Sequence, residues 1–159
     1  MAIERITPFL WFDHQADEAA AFYTSIFPNS RVVKVVRQNP AVPEPAGKVL
    51  TVEFELDGRR YVAFNGGPRF RFTEAISLVV HCENQAEVDT YWDGLLAGGG
   101  TPIQCGWLKD RFGLFWQITP TALIRLLGDP DPARAARVMQ AMMQMVKIDI
   151  AAIEQAGKA

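Results

Sequence analysis

The chain repeats itself. Phe22-Tyr23 and Ile26-Phe27 return as Tyr91-Trp92 and Leu95-Leu96, a shift of 69 residues from position 22 to position 91. Self-similarity at a fixed spacing means that one supersecondary unit has been used twice, so the fold reduces to identifying that unit.

In the first copy, residues 3–12 (IERITPFLWF) are rich in β-branched and aromatic types and stop at the polar break Asp13-His14-Gln15, which predicts a strand. Ala16, Ala19, Ala20, Tyr23 and Phe27 then recur at three- and four-residue steps, and Pro28-Asn29-Ser30 ends that helix. Residues 30–38 are a second strand, and the proline-rich stretch Asn39–Gly47 is an exposed connection. Leu50, Val52, Phe54 and Leu56 alternate with polar residues, the period-two pattern of a sheet with one buried face. Asp57-Gly58 supplies a hairpin turn, and residues 60–65 return as a strand that stops at Gly66-Gly67-Pro68.

The second copy follows the same order. Residues 75–82 form a strand, Val88, Tyr91, Trp92 and Leu95 mark a helix ending at Gly98-Gly99-Gly100, and strands follow at 101–105, 106–109 and 114–119. Asp110-Arg111-Phe112-Gly113 is the turn between the last two. The unit is therefore βαβββ, and the expected fold is α+β: two tandem units forming a curved mixed sheet, with C-terminal helices. Residues 1–159 are read as one domain, with unit one at 3–68, unit two at 74–119 and a helical tail at 120–157. In the tail, Asp131-Pro132 caps a helix, Asp149 caps a final one, and Val138, Met139, Met142 and Val146 form an apolar stripe that fills a core or a subunit interface.

With 16 basic against 18 acidic residues, no single-sign field exists to attract a phosphate backbone or an anionic bilayer, so neither nucleic acid nor membrane is an expected partner. The N-terminal segment lacks the features of a signal peptide, and no apolar run approaches the length of a membrane span. Two cysteines, Cys82 and Cys105, make no disulfide framework, and the expected location is the cytoplasm.

Five segments carry a resemblance to a known family: ITPFLWFDHQADEAAAFYTSIFPNS, VLTVEFELDGRRYVAFNGGP, ISLVVHCENQAEVDTYWDGL, QCGWLKDRFGLFWQITP and DPDPARAARVMQAMMQMVKIDIA. Together they resemble the PhnB-like subgroup of the vicinal oxygen chelate superfamily, which includes glyoxalases and bleomycin-resistance proteins. The subgroup is often labelled a ubiquinone-precursor methyltransferase, yet no glycine-rich strand-to-helix turn for a nucleotide-like cofactor is seen, and methyl transfer is not expected.

The resemblance implies a divalent metal held by one residue from the first and one from the last strand of each unit. The matching positions fall close to Pro8, Ala63 or Phe64, Ser77 and Gln117. Only Gln117 offers a donor, a neutral oxygen, so no metal and no other cofactor is expected. The resemblance also implies a homodimer.

Strand parity nominates the remaining candidates. Phe115 and Gln117 should share the cavity face, an aromatic wall beside an orienting amide, while Leu114, Trp116 and Ile118 pack the other way. His81 shares parity with Ser77 and is a candidate catalytic group, as is Glu53, although Glu53 and Glu55 alternate with a buried face and so read first as solvent-facing. Asn65 either offers an amide to the pocket or serves an Asn-Gly turn, and Trp107 with Lys109 flanks the cavity mouth or covers a dimer seam. His14 reads as a solvated loop residue or a base, and Cys105 as a small buried cysteine or a reactive thiol. The expected ligand site is thus Phe12, Phe64, Asn65, Ser77, Trp107, Phe115 and Gln117, binding a small organic molecule. The alternatives are a metal- or acid–base-dependent isomerase or lyase of the same superfamily, or a structural subunit.

Overall fold

The computed structural model describes residues 4–39, 41 and 47–159. Ile3 and most of the proline-rich connection, residues 40 and 42–46, lie outside the described residues. Two compact units divide at Phe72/Thr73.

Unit one contains β1 (Phe9–Phe12), α1 (Ala16–Ile26), β2 (Arg31–Arg37), β3 (Val49–Leu56) and β4 (Arg59–Asn65). Its sheet runs β1-β4-β3-β2, with β1 parallel to β4 and the other pairs antiparallel. The β1 strand is shorter than its sequence pattern because Pro8 has no N–H to give a ladder, although its carbonyl still accepts from the Val62 N–H at 3.0 Å. Between β3 and β4, Asp57 (φ 47°) and Gly58 (φ 79°) take the two positive angles that a tight hairpin needs. The buried face of the sheet presents Leu10, Phe12, Val52, Phe54, Leu56, Tyr61 and Ala63. Ala16, Ala19 and Ala20 let α1 approach this face closely, and Tyr23 fills the remaining volume over Phe54, which stacks in turn on Tyr61 at 5.5 Å.

Unit two contains β5 (Leu78–Cys82), α2 (Gln85–Leu96), β6 (Thr101–Pro102), β7 (Trp107–Lys109) and β8 (Phe115–Pro120), with sheet order β5-β8-β7-β6. Again the first strand is parallel to the last and the remaining pairs are antiparallel. The two expected strands over 101–109 are interrupted. Cys105 (φ 62°) and Gly106 (φ 80°) are consecutive left-handed residues, which turn the chain out of an extended path. The core pairs Val88, Trp92 and Leu95 of α2 with Leu108, Leu114, Trp116 and Ile118.

The tail belongs to unit two: α3 (Thr121–Leu127), α4 (Pro132–Met143) and α5 (Ile150–Lys158). The Asp131 carboxylate accepts from the Ala133 N–H at 3.0 Å and that of Asp149 from the Ala152 N–H at 3.1 Å, so both predicted caps form. Leu123, Val138, Ile148 and Ile153 make a small core joined by Leu126, Leu127, Met142 and Met145. The predicted stripe therefore splits: Val138 and Met142 face this core, while Met139 and Val146 are exposed. Among the described residues, no helix is long and apolar enough to cross a membrane.

Candidate functional site

In each unit one sheet face packs on its helix, and the opposite face carries the residues available for a ligand. The ladder register decides which side chains belong to which face. In unit one, Trp11 lies opposite Phe64 and Phe12 opposite Asn65, so Phe12 and Phe64 point to opposite sides. Phe12 is 2% exposed and packs edge-on to Phe72 at 5.2 Å, which removes it from the ligand face. Ala63, fully buried, also faces the helix side, and Pro8 shares the parity of Leu10. The duplication does not have one uniform shift. The helices repeat at 69 residues (Ala16 to Gln85), but the buried strand residues Leu10 and Phe12 correspond to Val80 and Cys82, a shift of 70.

The residues that do share the far face of sheet one are Phe9, Trp11, Thr51, Glu53, Glu55, Arg60, Val62 and Phe64. Phe64 is the hub of a ring cluster, with Phe9 at 5.3 Å and Trp11 edge-on at 5.1 Å, and Phe70 adds a further edge contact to Trp11 at 4.9 Å. Trp11 is fixed by its indole N–H, which donates to the Gly67 carbonyl at 2.9 Å. Gly66 makes this possible: a Cβ there would lie 2.2 Å from Trp11 Cε2 and 2.6 Å from Phe64 Cε1. Sequence parity alone contained the signal for Trp11, since it alternates with the buried Leu10 and Phe12.

Glu53 is on this face but forms an ion pair with Arg60 at 3.4 Å, and Arg60 reaches Glu55 at 3.6 Å. This arrangement is a charge ladder across β3 and β4. Asn65 works inside the unit. Its Oδ1 accepts from the Ala16 N–H at 2.8 Å and its Nδ2 donates to the Val49 carbonyl at 3.0 Å, supplying the cap that Gln15 does not give α1. Replacement Asn65→Ala is expected to cost about 1–2 kcal/mol of stability, a loss measurable in urea unfolding, because it removes that cap.

Sheet two gathers its predicted residues as expected from parity. Val79 and Trp107 lie opposite Gln117, His81 opposite Thr119 and Lys109 opposite Phe115, so Ser77, His81, Trp107, Phe115 and Gln117 share the far face. The Gln117 amide donates to Ser77 Oγ at 2.9 Å, leaving its carbonyl as the group to orient a ligand. His81 is exposed at the strand end, and His14, in its loop, stands 3.6 Å from Asp13. Cys82 is fully buried, and burial pushes its thiol pKa up to about 12, which keeps it unreactive.

A divalent metal of the kind this fold often holds does not fit these donors. Pro8, Ala63 and Phe64 carry no side-chain donor atom, Gln117 offers a single neutral oxygen, and among the described residues no group of three or more His, Cys, Asp or Glu is assembled. The strand-to-helix turns, Asp13-His14-Gln15 and Glu83-Asn84-Gln85, carry no glycine.

The most informative buried polar group is one that sequence reading passed over. Asp110 accepts from the N–H groups of Phe112 (2.8 Å) and Leu114 (3.1 Å) through Oδ1, and from the Trp116 indole (2.8 Å) through Oδ2. It locks the turn between β7 and β8. A buried tryptophan that needs an acceptor, beside an Asp-x-x-Gly turn, was the available signal.

Comparison with known proteins gives a consistent relationship. A family model described as 3-demethylubiquinone-9 3-methyltransferase matches residues 4–119. A PhnB protein from Bacillus cereus, provisionally described as a 3-demethylubiquinone-9 3-methyltransferase, is 34% identical, and the alignment covers 74% of this chain and 100% of that one with a TM-score of 0.67. Protein PA1353 from Pseudomonas aeruginosa is similar in fold, at 19% identity and a TM-score of 0.60, over 74% of this chain and 98% of that one. No curated protein matches.

Proposed function

The chain belongs to the 3-demethylubiquinone-9 3-methyltransferase-like (PhnB) family of the vicinal oxygen chelate superfamily, and from that premise we propose that it binds a small, flat organic molecule without a divalent metal. The observation that carries this reading is the ring cluster of Phe9, Trp11, Phe64 and Phe70 on the sheet face away from α1. The rings lie on the face opposite the buried core of Leu10, Phe12, Val52, Phe54 and Ala63. Phe9 and Phe70 are 58% and 55% exposed, a concentration of apolar surface that marks binding sites more often than bare surface. Taken by itself, the far face of sheet two carries Trp107 and the Ser77–Gln117 pair above a buried Phe115, an apolar surface with a fixed polar group.

Titration with anilinonaphthalene sulfonate tests the proposal. Saturable one-to-one binding is expected, weakened at least tenfold by Trp11→Ala, with no rise in melting temperature on adding Zn²⁺, Ni²⁺, Mn²⁺ or Fe²⁺. Unsaturable binding indifferent to Trp11→Ala would overturn the ligand face. A stoichiometric metal lost in His81→Ala would instead favour a metal enzyme. Homodimerisation is part of the same proposal, and sedimentation showing a monomer at micromolar concentration would contradict it.

A further inference from the structure

We infer that the C-terminal tail is a strap that holds the Cys105-Gly106 bend and thereby sets Trp107 on the ligand face, with Gln85 as the positioning residue that fastens it. The inference takes its functional meaning from the binding proposal above. The family model matches residues 4–119, and the tail follows that stretch.

The link between α4 and α5 runs back against the sheet. Its Met145 carbonyl accepts from the Cys105 N–H at 2.8 Å, and its Val146 carbonyl accepts from the Gly106 N–H at 2.7 Å. From the other side, Gly106 O accepts from the Ile118 N–H at 2.8 Å, so the bend is clamped between the strap and β8. The fit leaves no spare room: a Cβ on Gly106 would sit 2.9 Å from Ile148 Cγ1 and 3.0 Å from Ile118 O. Cys105 holds φ 62°, uncommon for a residue with a Cβ, in a turn that the Trp107 N–H closes on the Gln104 carbonyl at 3.2 Å and the strap backs from outside. Trp107 follows one residue after Gly106 and enters β7 opposite Gln117.

One side chain ties the strap down at two backbone points. Gln85 Nε2 donates to the Ile148 carbonyl at 3.1 Å, and Gln85 Oε1 accepts from the Ile150 N–H at 2.9 Å. The same Nε2 contacts Asp89 Oδ1 at 3.1 Å, and Asp89 pairs with Lys147 of the strap at 2.8 Å. An amide suits this position, because its NH₂ donates to one carbonyl while its oxygen accepts from one N–H.

The test uses full-length protein carrying fluorotryptophan. In Gln85→Ala, the Cys105 and Gly106 amides should exchange at least tenfold faster while those of β3 are unchanged. The Trp107 fluorine resonance should move while that of Trp11 stays, and affinity for anilinonaphthalene sulfonate should fall threefold or more. Gln85→Glu, which keeps the acceptor and loses the donor, should lie between. Adding Cys105→Gly to Gln85→Ala should return the Trp107 resonance toward its original position, because glycine holds a positive φ unaided. Faster exchange with an unmoved Trp107 resonance and unchanged affinity would make the tail purely structural and overturn the inference, as would unchanged exchange at Cys105 and Gly106. If the unmodified protein fails to bind the probe, the binding proposal fails, and the Trp107 resonance alone decides the strap.

Discussion

Asp110→Ala should lower the stability of unit two by about 3–5 kcal/mol, the largest single-residue effect expected here. The substitution strips an acceptor from three donors at once, and the Leu114 N–H and the Trp116 indole lie in a buried environment where water cannot replace it. Each orphaned buried donor costs about 1–3 kcal/mol, more than the hydrogen bond itself contributes when made, because desolvation is no longer compensated. For a chain of this size the melting temperature should fall by roughly 10–15 °C. Asp110→Asn keeps one oxygen acceptor and should retain part of that loss. Calorimetry on both variants settles the point, and a change under 1 kcal/mol for Asp110→Ala would contradict the assigned role.

Gly66→Ala should have the next largest effect, and it should act on binding more than on folding. The new methyl group would stand 2.2 Å from Trp11 Cε2 and 2.5 Å from Trp11 Cζ2, well inside contact distance. The indole must swing away, which breaks its hydrogen bond to the Gly67 carbonyl and its edge contact with Phe64. Overpacking of this kind costs about 1–3 kcal/mol of stability. Because the rings it displaces are the proposed ligand surface, probe affinity should fall at least tenfold, and the Trp11 fluorescence maximum should shift. Unchanged affinity with a shifted Trp11 would separate the indole from the binding face.

The fold was legible because its signals are local and repeated. The alternation of Leu50, Val52, Phe54 and Leu56, the Asp57-Gly58 turn and the caps at Asp131 and Asp149 each dictate one conformation with little help from distant residues. The shared sheet face of Ser77, His81, Trp107, Phe115 and Gln117 was legible for the same reason, since it follows from parity along single strands.

Phe12 was named for its aromatic ring, whereas alternation along β1 puts it with buried Leu10 and opposite in face to Trp11. What else sequence reading missed depends on contacts between segments far apart in the chain. Asn65 as a remote cap for α1 requires knowing that β4 ends beside the start of that helix. The strained Cys105 and the strap that covers it arise from contacts about 40 residues apart, from 105 to 145, which no spacing rule encodes.

The central claim is that the sheet faces turned away from the helices bind a small organic molecule. The four tryptophans report on it directly, because Trp11 and Trp107 lie on those faces while Trp92 and Trp116 lie in the helix-side core. Indole N–H resonances followed by NMR during titration with anilinonaphthalene sulfonate should show Trp11 of unit one, Trp107 of unit two, or each of them, moving saturably, with Trp92 and Trp116 still. Movement confined to Trp92 and Trp116, or no movement at all, would contradict the account.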